Sequence, residues 1–153
     1  MKKKMSLMGV GGKIAIVLVL YLAISITLDL VFAPLFKMTT TDYSTVLIIG
    51  IALVVVGFSL NLGAALPMMK AYKKEGLVTK GLYHLFLNPM YVFMIFLTLP
   101  GICLILNSWL VLGSVVPAFI AYKIFVREEH KYLEEKFGDE YRAYKKSVII
   151  KFL

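Results

Sequence analysis

Polar residues set into apolar surroundings are the first places to look for chemistry. Asn88 and Tyr91 stand three apart in the run Leu87-Asn88-Pro89-Met90-Tyr91. Residues three apart share a helix face, so a polar ligand could dock against this pair. Asn is a favoured N-cap and Pro a favoured first helical residue, so the run also predicts a helix start. Asp29 is the only acidic residue inside a long apolar run. An intramembrane carboxylate is costly and usually functional, while one near the end of such a run can reach water; both readings stand for Asp29. Asn61 lies in another run and predicts an interhelical hydrogen bond or a ligand contact. Cys103 and the many Met residues predict packing.

The elements that must position these residues follow from composition. The chain has 153 residues, 60% of them hydrophobic, and a net charge of +8. Its mean hydropathy is +0.85. Soluble domains are about 45–50% apolar, so a soluble domain, a disordered chain and a disulfide scaffold are all excluded. One cysteine cannot form an internal disulfide. A helix needs about 20 apolar residues to cross a bilayer. Four runs qualify: 14–36, 45–69, 88–106 and 108–126. The expected fold is all-α: one integral membrane domain over 1–153, a bundle of four transmembrane helices with a cytoplasmic amphipathic tail. The first run is too long for the core of a cleaved signal peptide, so it is read as an uncleaved span.

Charge sets the orientation. Four basic residues precede the first run and four fall in the 70–87 loop. Eight lie at or after the end of the fourth run, and Lys37 alone lies elsewhere. Thus 16 of the 17 basic residues fall on one side of a four-span arrangement, and the positive-inside rule makes that side cytoplasmic. Both termini are expected there, in the cell (inner) membrane, with lipids as partners. Tyr43 and Trp109 fall at the opposite interface. The basic residues flank spans and interleave no aromatic groove, so nucleic-acid binding is not expected. Gly50, Gly57 and Gly63 predict close helix packing. Pro100-Gly101 predicts a kink in the third span, and Pro117 one in the fourth. Asn107-Ser108 joins these spans as a tight hairpin.

The tail, 127–153, carries charges of both signs. Leu133, Phe137 and Tyr141 recur at spacing four, which predicts an amphipathic helix continuing the fourth span. Gly138 should break it before a shorter helix starting at Asp139. An interfacial anchor would need neither that break nor the pair Tyr141 and Tyr144.

Taken in order, Gly76-Leu77-Val78-Thr79-Lys80-Gly81-Leu82-Tyr83, then Leu87-Asn88-Pro89-Met90-Tyr91, then Glu129-His130-Lys131-Tyr132-Leu133 and Phe137-Gly138-Asp139-Glu140-Tyr141 with Tyr144 and Val148 form one pattern. It resembles the isoprenylcysteine carboxyl methyltransferase and phospholipid methyltransferase superfamily of membrane enzymes, over about 76–148. The resemblance implies S-adenosylmethionine as cofactor and a lipophilic methyl acceptor: a prenylcysteine-type carboxylate, a lipid amine, or a small thiol or amine. It nominates Tyr83, Asn88, Pro89, Tyr91, Glu129, His130, Leu133, Tyr141 and Tyr144 as cofactor-binding residues, with Glu129 and His130 catalytic. It calls for no metal. The chain departs from the family pattern twice: the Arg expected before Asn88 is Leu87, and the second Glu of a pair falls on His130. Glu128 replaces that Glu only if the helix register differs by one residue. His130 is then a general base for a thiol or amine, or a solvated helix residue. Two other readings compete: a non-catalytic protein of the same fold, and a four-span transporter using Asp29.

Overall fold

The computed structural model describes residues 10–38 and 42–151. Lys2, Lys3 and Lys4, the middle of the 37–44 loop, and Phe152 and Leu153 lie outside the described residues. The described chain is helical throughout, apart from turns and two isolated β-bridges.

The first helix, α1 (Gly11–Val31), begins and ends earlier than the expected 14–36. Proline lacks an N–H and clashes with the carbonyl four residues back. Pro34 therefore cannot extend α1, and the chain resets at Phe32 before a single turn, α2 (Ala33–Phe36). The next helix, α3 (Tyr43–Lys73), has 31 residues and outruns the expected 45–69. At 1.5 Å per residue it is about 46 Å long, well over the roughly 30 Å hydrocarbon core. Lys70 and Lys73 fall in its last turn, where cations favour the helix dipole.

Beyond the loop and the short helix α4 (Leu82–Leu85), the third apolar run is not one kinked helix. It comprises α5 (Pro89–Phe93), a π-helical turn (Met94–Thr98) and α6 (Leu99–Ile105). The irregularity lies just before Pro100. The Leu99 amide bonds back to Met94, five residues away, and Pro100 becomes an early residue of the new helix, where its missing N–H costs least. Likewise Pro117 does not interrupt its helix. The fourth run breaks upstream at Gly113–Ser114, between α7 (Trp109–Leu112) and α8 (Val115–Phe137), and Pro117 sits in the first turn of α8. The expected hairpin is present: Asn107 takes positive φ, and Ser108 caps α7 by accepting from the Val111 amide. The tail also follows its pattern. Helix α8 runs unbroken to Phe137, Gly138 takes φ +54°, and α9 (Asp139–Ser147) follows. Asp139 and Glu140 open α9 and Lys145 and Lys146 close it, both favourable to its dipole.

Among the described residues, three helical stretches are long and apolar enough to cross a membrane: α1, α3 and the α7–α8 stretch, Trp109–Phe137. The fourth expected span is the interrupted stretch Pro89–Ile105, which is shorter. Large apolar side chains cover the outside: Leu20 and Leu30 on α1, Ile48 and Phe58 on α3, Ile120 and Ile124 on α8 are all exposed. An apolar exterior on this scale belongs in lipid, so this is a multi-pass membrane protein.

Glycine lets α3 and the third run meet backbone to backbone. A Cβ on Gly57 would lie 2.6 Å from Thr98 Oγ1, and one on Gly101 would lie 2.8 Å from the Gly50 carbonyl oxygen. Asn61 donates to the Gly57 carbonyl at 3.0 Å and reaches Thr98 Oγ1 at 3.5 Å, so it does bond between helices. Helix α1 packs on α8 through Ile14, Leu18, Ala118 and Val126.

The end of the chain is strapped to the 82–87 loop. Ile149 and Ile150 donate to the His84 and Leu85 carbonyls, and Leu87 donates to the Ile150 carbonyl. Val148, Leu87, Tyr141 and Tyr144 form a small buried cluster beneath this strap. Truncation after Ser147 removes these bonds. The Leu87 amide should then exchange with deuterium at least tenfold faster, while amides in the middle of α3 keep their protection. Unchanged exchange at Leu87 would show that the strap does not hold the loop.

Candidate functional site

A cavity of about 490 Å³ lies where the strapped loop, α9 and the ends of α1, α3, α5 and α8 converge. Helix α8 supplies one wall. Glu129, Tyr132, Leu133, Lys136 and Phe137 recur at helical spacing, and all five line it. The start of α5 brings Asn88, Pro89 and Tyr91, and α9 brings Tyr141 and Tyr144. Tyr83 comes from α4 and Leu87 from the segment after it. Eight of the nine nominated residues therefore line one cavity; His130 does not.

Glu129 is the acidic residue of this wall. Its Oε2 accepts from the Tyr91 hydroxyl at 2.8 Å and lies 3.5 Å from the Val10 amide, at the N-terminus of α1. Both donors act on one oxygen; Oε1 has no partner among the described residues and is left to accept from a ligand. The helix N-terminus also favours a negative charge at this place.

Asn88 is the N-cap residue of α5, yet its side chain makes no cap bond. Its amide nitrogen donates to the Tyr122 hydroxyl at 3.2 Å and lies 3.4 Å from His130 Nε2. With an N–H facing it, His130 Nε2 presents its lone pair, so Nδ1 carries the proton. His130 Nδ1 in turn bonds the Tyr141 hydroxyl. His130 is 7% exposed and is not a solvated helix residue. It stands behind the wall, with both nitrogens committed to residues that face the cavity. Asn88 Oδ1 has no partner among the described residues, and Asn88 lines the same cavity as Glu129.

The tyrosines close the opposite side. The Tyr144 hydroxyl donates to the Tyr83 carbonyl at 2.8 Å and reaches the Leu87 carbonyl at 3.5 Å. Burial holds the Tyr83, Tyr141 and Tyr144 hydroxyls above the ordinary phenol range. For Tyr83 and Tyr141 the nearby Glu129 charge adds to this. All three are therefore neutral at physiological pH, and none can act as a phenolate.

The two departures have structural correlates. Leu87 is 6% exposed, with its amide and carbonyl taken by the tail, so its side chain belongs to the apolar cluster under the strap. Glu128 does not replace the missing carboxylate. It points outward and pairs with Lys13 at 2.5 Å, both side chains being exposed. Asp29 lies in the last turn of α1, and only the first turns of that helix, Gly11 and Ala15, reach the cavity. The 14 residues from Ala15 to Asp29 span about 21 Å. Its Oδ1 is buried and has no hydrogen-bond partner among the described residues.

Several lining or supporting residues were not anticipated. Tyr132 and Lys136 are three and seven residues after Glu129, a spacing that could have identified them. Tyr122, seven before it, packs its ring on Tyr91 at 5.4 Å between centroids. Gly11, Met68, Met69 and Tyr72 arrive through tertiary packing. No group of three metal-ligating side chains occurs among the described residues.

Comparison with known proteins agrees with the pattern in the chain. The model of a family described as phospholipid methyltransferase matches residues 44–140, from the first turn of α3 into α9. No curated protein and no solved structure gives a significant match.

Proposed function

The chain belongs to the phospholipid methyltransferase family, within the isoprenylcysteine carboxyl methyltransferase superfamily, and we propose that it methylates a lipophilic acceptor with S-adenosylmethionine held in the cavity beside Glu129. Family membership implies a methyltransferase. The observation that carries the cofactor assignment is the set of acceptors at the cavity wall: one fixed carboxylate with a free oxygen, and one fixed amide oxygen, among tyrosine rings. That set suits a ligand rich in positive charge and N–H or O–H donors. The volume of about 490 Å³ lies in the usual range for a small-molecule site, roughly 300–1,000 Å³. When bound, the cofactor supplies a methyl group activated by an adjacent sulfonium.

The roles of the side chains follow from their bonds. Glu129 Oε1 takes a cationic or N–H donor group of the ligand, while Tyr91 and the Val10 amide hold the carboxylate in one orientation. Asn88 Oδ1 accepts a second donor. His130 is a positioning residue: it fixes the Asn88 amide and the Tyr141 hydroxyl. Tyrosine faces favour a nearby cation. Transfer to an acceptor is a displacement at carbon, so most of the rate must come from alignment of the two reactants, and a fixed first layer of contacts serves that end.

Met68, Met69, Met90 and Met94 line the side of the cavity between α3 and the third run. Flexible, polarisable methionines suit an acceptor with an aliphatic body, and the family favours a phospholipid amine. Placing all but one of the basic residues on the cytoplasmic side requires that Pro89–Ile105 cross the bilayer too. The proposed topology therefore has four crossings, with both termini and the cavity at the cytoplasmic face.

The test is transfer of label. Purified protein with methyl-labelled S-adenosylmethionine and vesicles containing primary-amine phospholipids should yield labelled lipid, and Glu129→Gln should yield at least a hundredfold less. No labelled product with these vesicles or with total membrane lipid would refute the assignment.

A further inference from the structure

The cavity wall has a charge pattern that the family resemblance does not anticipate. Among the described residues lining it, only Glu129 and Lys136 are charged. They lie seven apart on the unbroken helix α8. Two helical turns put them on one face, about 10 Å apart along the axis. Tyr132 and Leu133 line the wall between them.

Some of the neighbouring charges are paired. Arg142 bonds Glu134 and Asp139, and Lys13 bonds Glu128. Lys136 has no carboxylate partner among the described residues. Its ammonium lies 5.0 Å from the centre of the Phe137 ring, which also lines the cavity. Leu87, where the family pattern has Arg, is buried in the apolar cluster and offers no charge. Among the described lining residues, Lys136 is therefore the one cation available to an anionic group on a ligand in this cavity.

We propose that Lys136 binds the carboxylate of the ligand whose cationic part Glu129 receives, so that the cavity selects a zwitterion over its decarboxylated form. The proposal rests on the reading of the cavity as the S-adenosylmethionine site, since that cofactor carries a carboxylate beside its ammonium and sulfonium groups. A lysine is suited to the task. Its charge sits on a flexible four-carbon stem, which lets an exposed side chain at the edge of the cavity fold over a ligand that Glu129 holds further in.

The test compares two ligands on the full chain in lipid nanodiscs. S-adenosylmethionine and its decarboxylated analogue are titrated calorimetrically into the wild type, Lys136→Gln and Lys136→Arg. A charge-assisted hydrogen bond corresponds to about a tenfold preference. The wild type should bind the carboxylate-bearing ligand about tenfold more tightly than the analogue. Lys136→Gln should lose that preference through weaker binding of S-adenosylmethionine alone, and Lys136→Arg should keep it. Lys136→Gln showing the wild-type preference would overturn the proposal, as would equal weakening of both ligands, which would mark a packing role. Wild type binding neither ligand would overturn the site assignment itself and this proposal with it. Wild type binding both ligands equally would overturn the proposal and leave the site assignment standing.

Discussion

Glu129→Gln lowers the affinity for S-adenosylmethionine by about a hundredfold and does not lower the melting temperature. The affinity follows from the ligand's charge. A hydrogen bond between charged groups contributes up to about 3 kcal/mol, and each 1.4 kcal/mol is roughly a factor of ten. The stability follows from the carboxylate's surroundings. Glu129 is flanked by two donors on one oxygen and by no cation among the described residues. Gln can accept the same two bonds through its carbonyl, and the cost of holding a partly desolvated charge disappears. Glu128→Gln is the control one residue away. Its exposed pair with Lys13 is worth less than about 1 kcal/mol, and binding should not change. Equal effects of the two substitutions would show that Glu129 acts only through overall charge.

Gly101→Ala should destabilise the bundle by about 3 kcal/mol or more, at the upper end of overpacking costs. The added Cβ would lie 2.8 Å from the Gly50 carbonyl oxygen and 2.9 Å from the Val54 amide nitrogen. Both are backbone atoms of a helix, so no rotamer change relieves the contact and the two helices must separate. Gly50→Ala meets the reciprocal contact at 2.9 Å from the Gly101 carbonyl and should behave alike. Gly63 faces only the end of the Leu82 side chain at 3.5 Å. Alanine gains about 1 kcal/mol of helix propensity over glycine, so Gly63→Ala should leave the melting temperature unchanged or raise it. Thermal melts in detergent, followed by far-ultraviolet circular dichroism, distinguish the two signs. A Gly101→Ala protein as stable as the wild type would contradict the close approach of α3 and α6.

The contrast between these glycines shows what was legible before the fold was known. Their spacing in an apolar run indicated packing, but only the partner helix reveals which are in contact. Helix locations were readable because long apolar runs leave few alternatives. The finer breaks were not. Pro100 and Pro117 each lack an N–H, which predicts a disturbance nearby, but the chain absorbs it upstream, in a π turn and at Gly113–Ser114, so that each proline falls early in a new helix. Pro34 was passed over because the run around it is uniformly apolar.

The site was legible to the extent that its residues share one helix or follow one motif. Glu129, Leu133, Tyr141 and Tyr144 were found that way. Lys136 lies at the same periodicity but reads as one more charge on an amphipathic helix until the loop folds over it. Gly11 and Met68 carry no local sign, because they reach the cavity from helices far away in sequence. His130 was nominated as a base or a solvated residue; its burial between Asn88 and Tyr141 gives it a supporting place that no helical wheel shows.

The most direct test of the central claim is equilibrium binding of methyl-labelled S-adenosylmethionine to the purified full chain in nanodiscs. One saturable site per chain in the micromolar range, displaced by S-adenosylhomocysteine and lost in Glu129→Gln, is the predicted result. No saturable binding at millimolar cofactor, or binding that Glu129→Gln leaves intact, would contradict it.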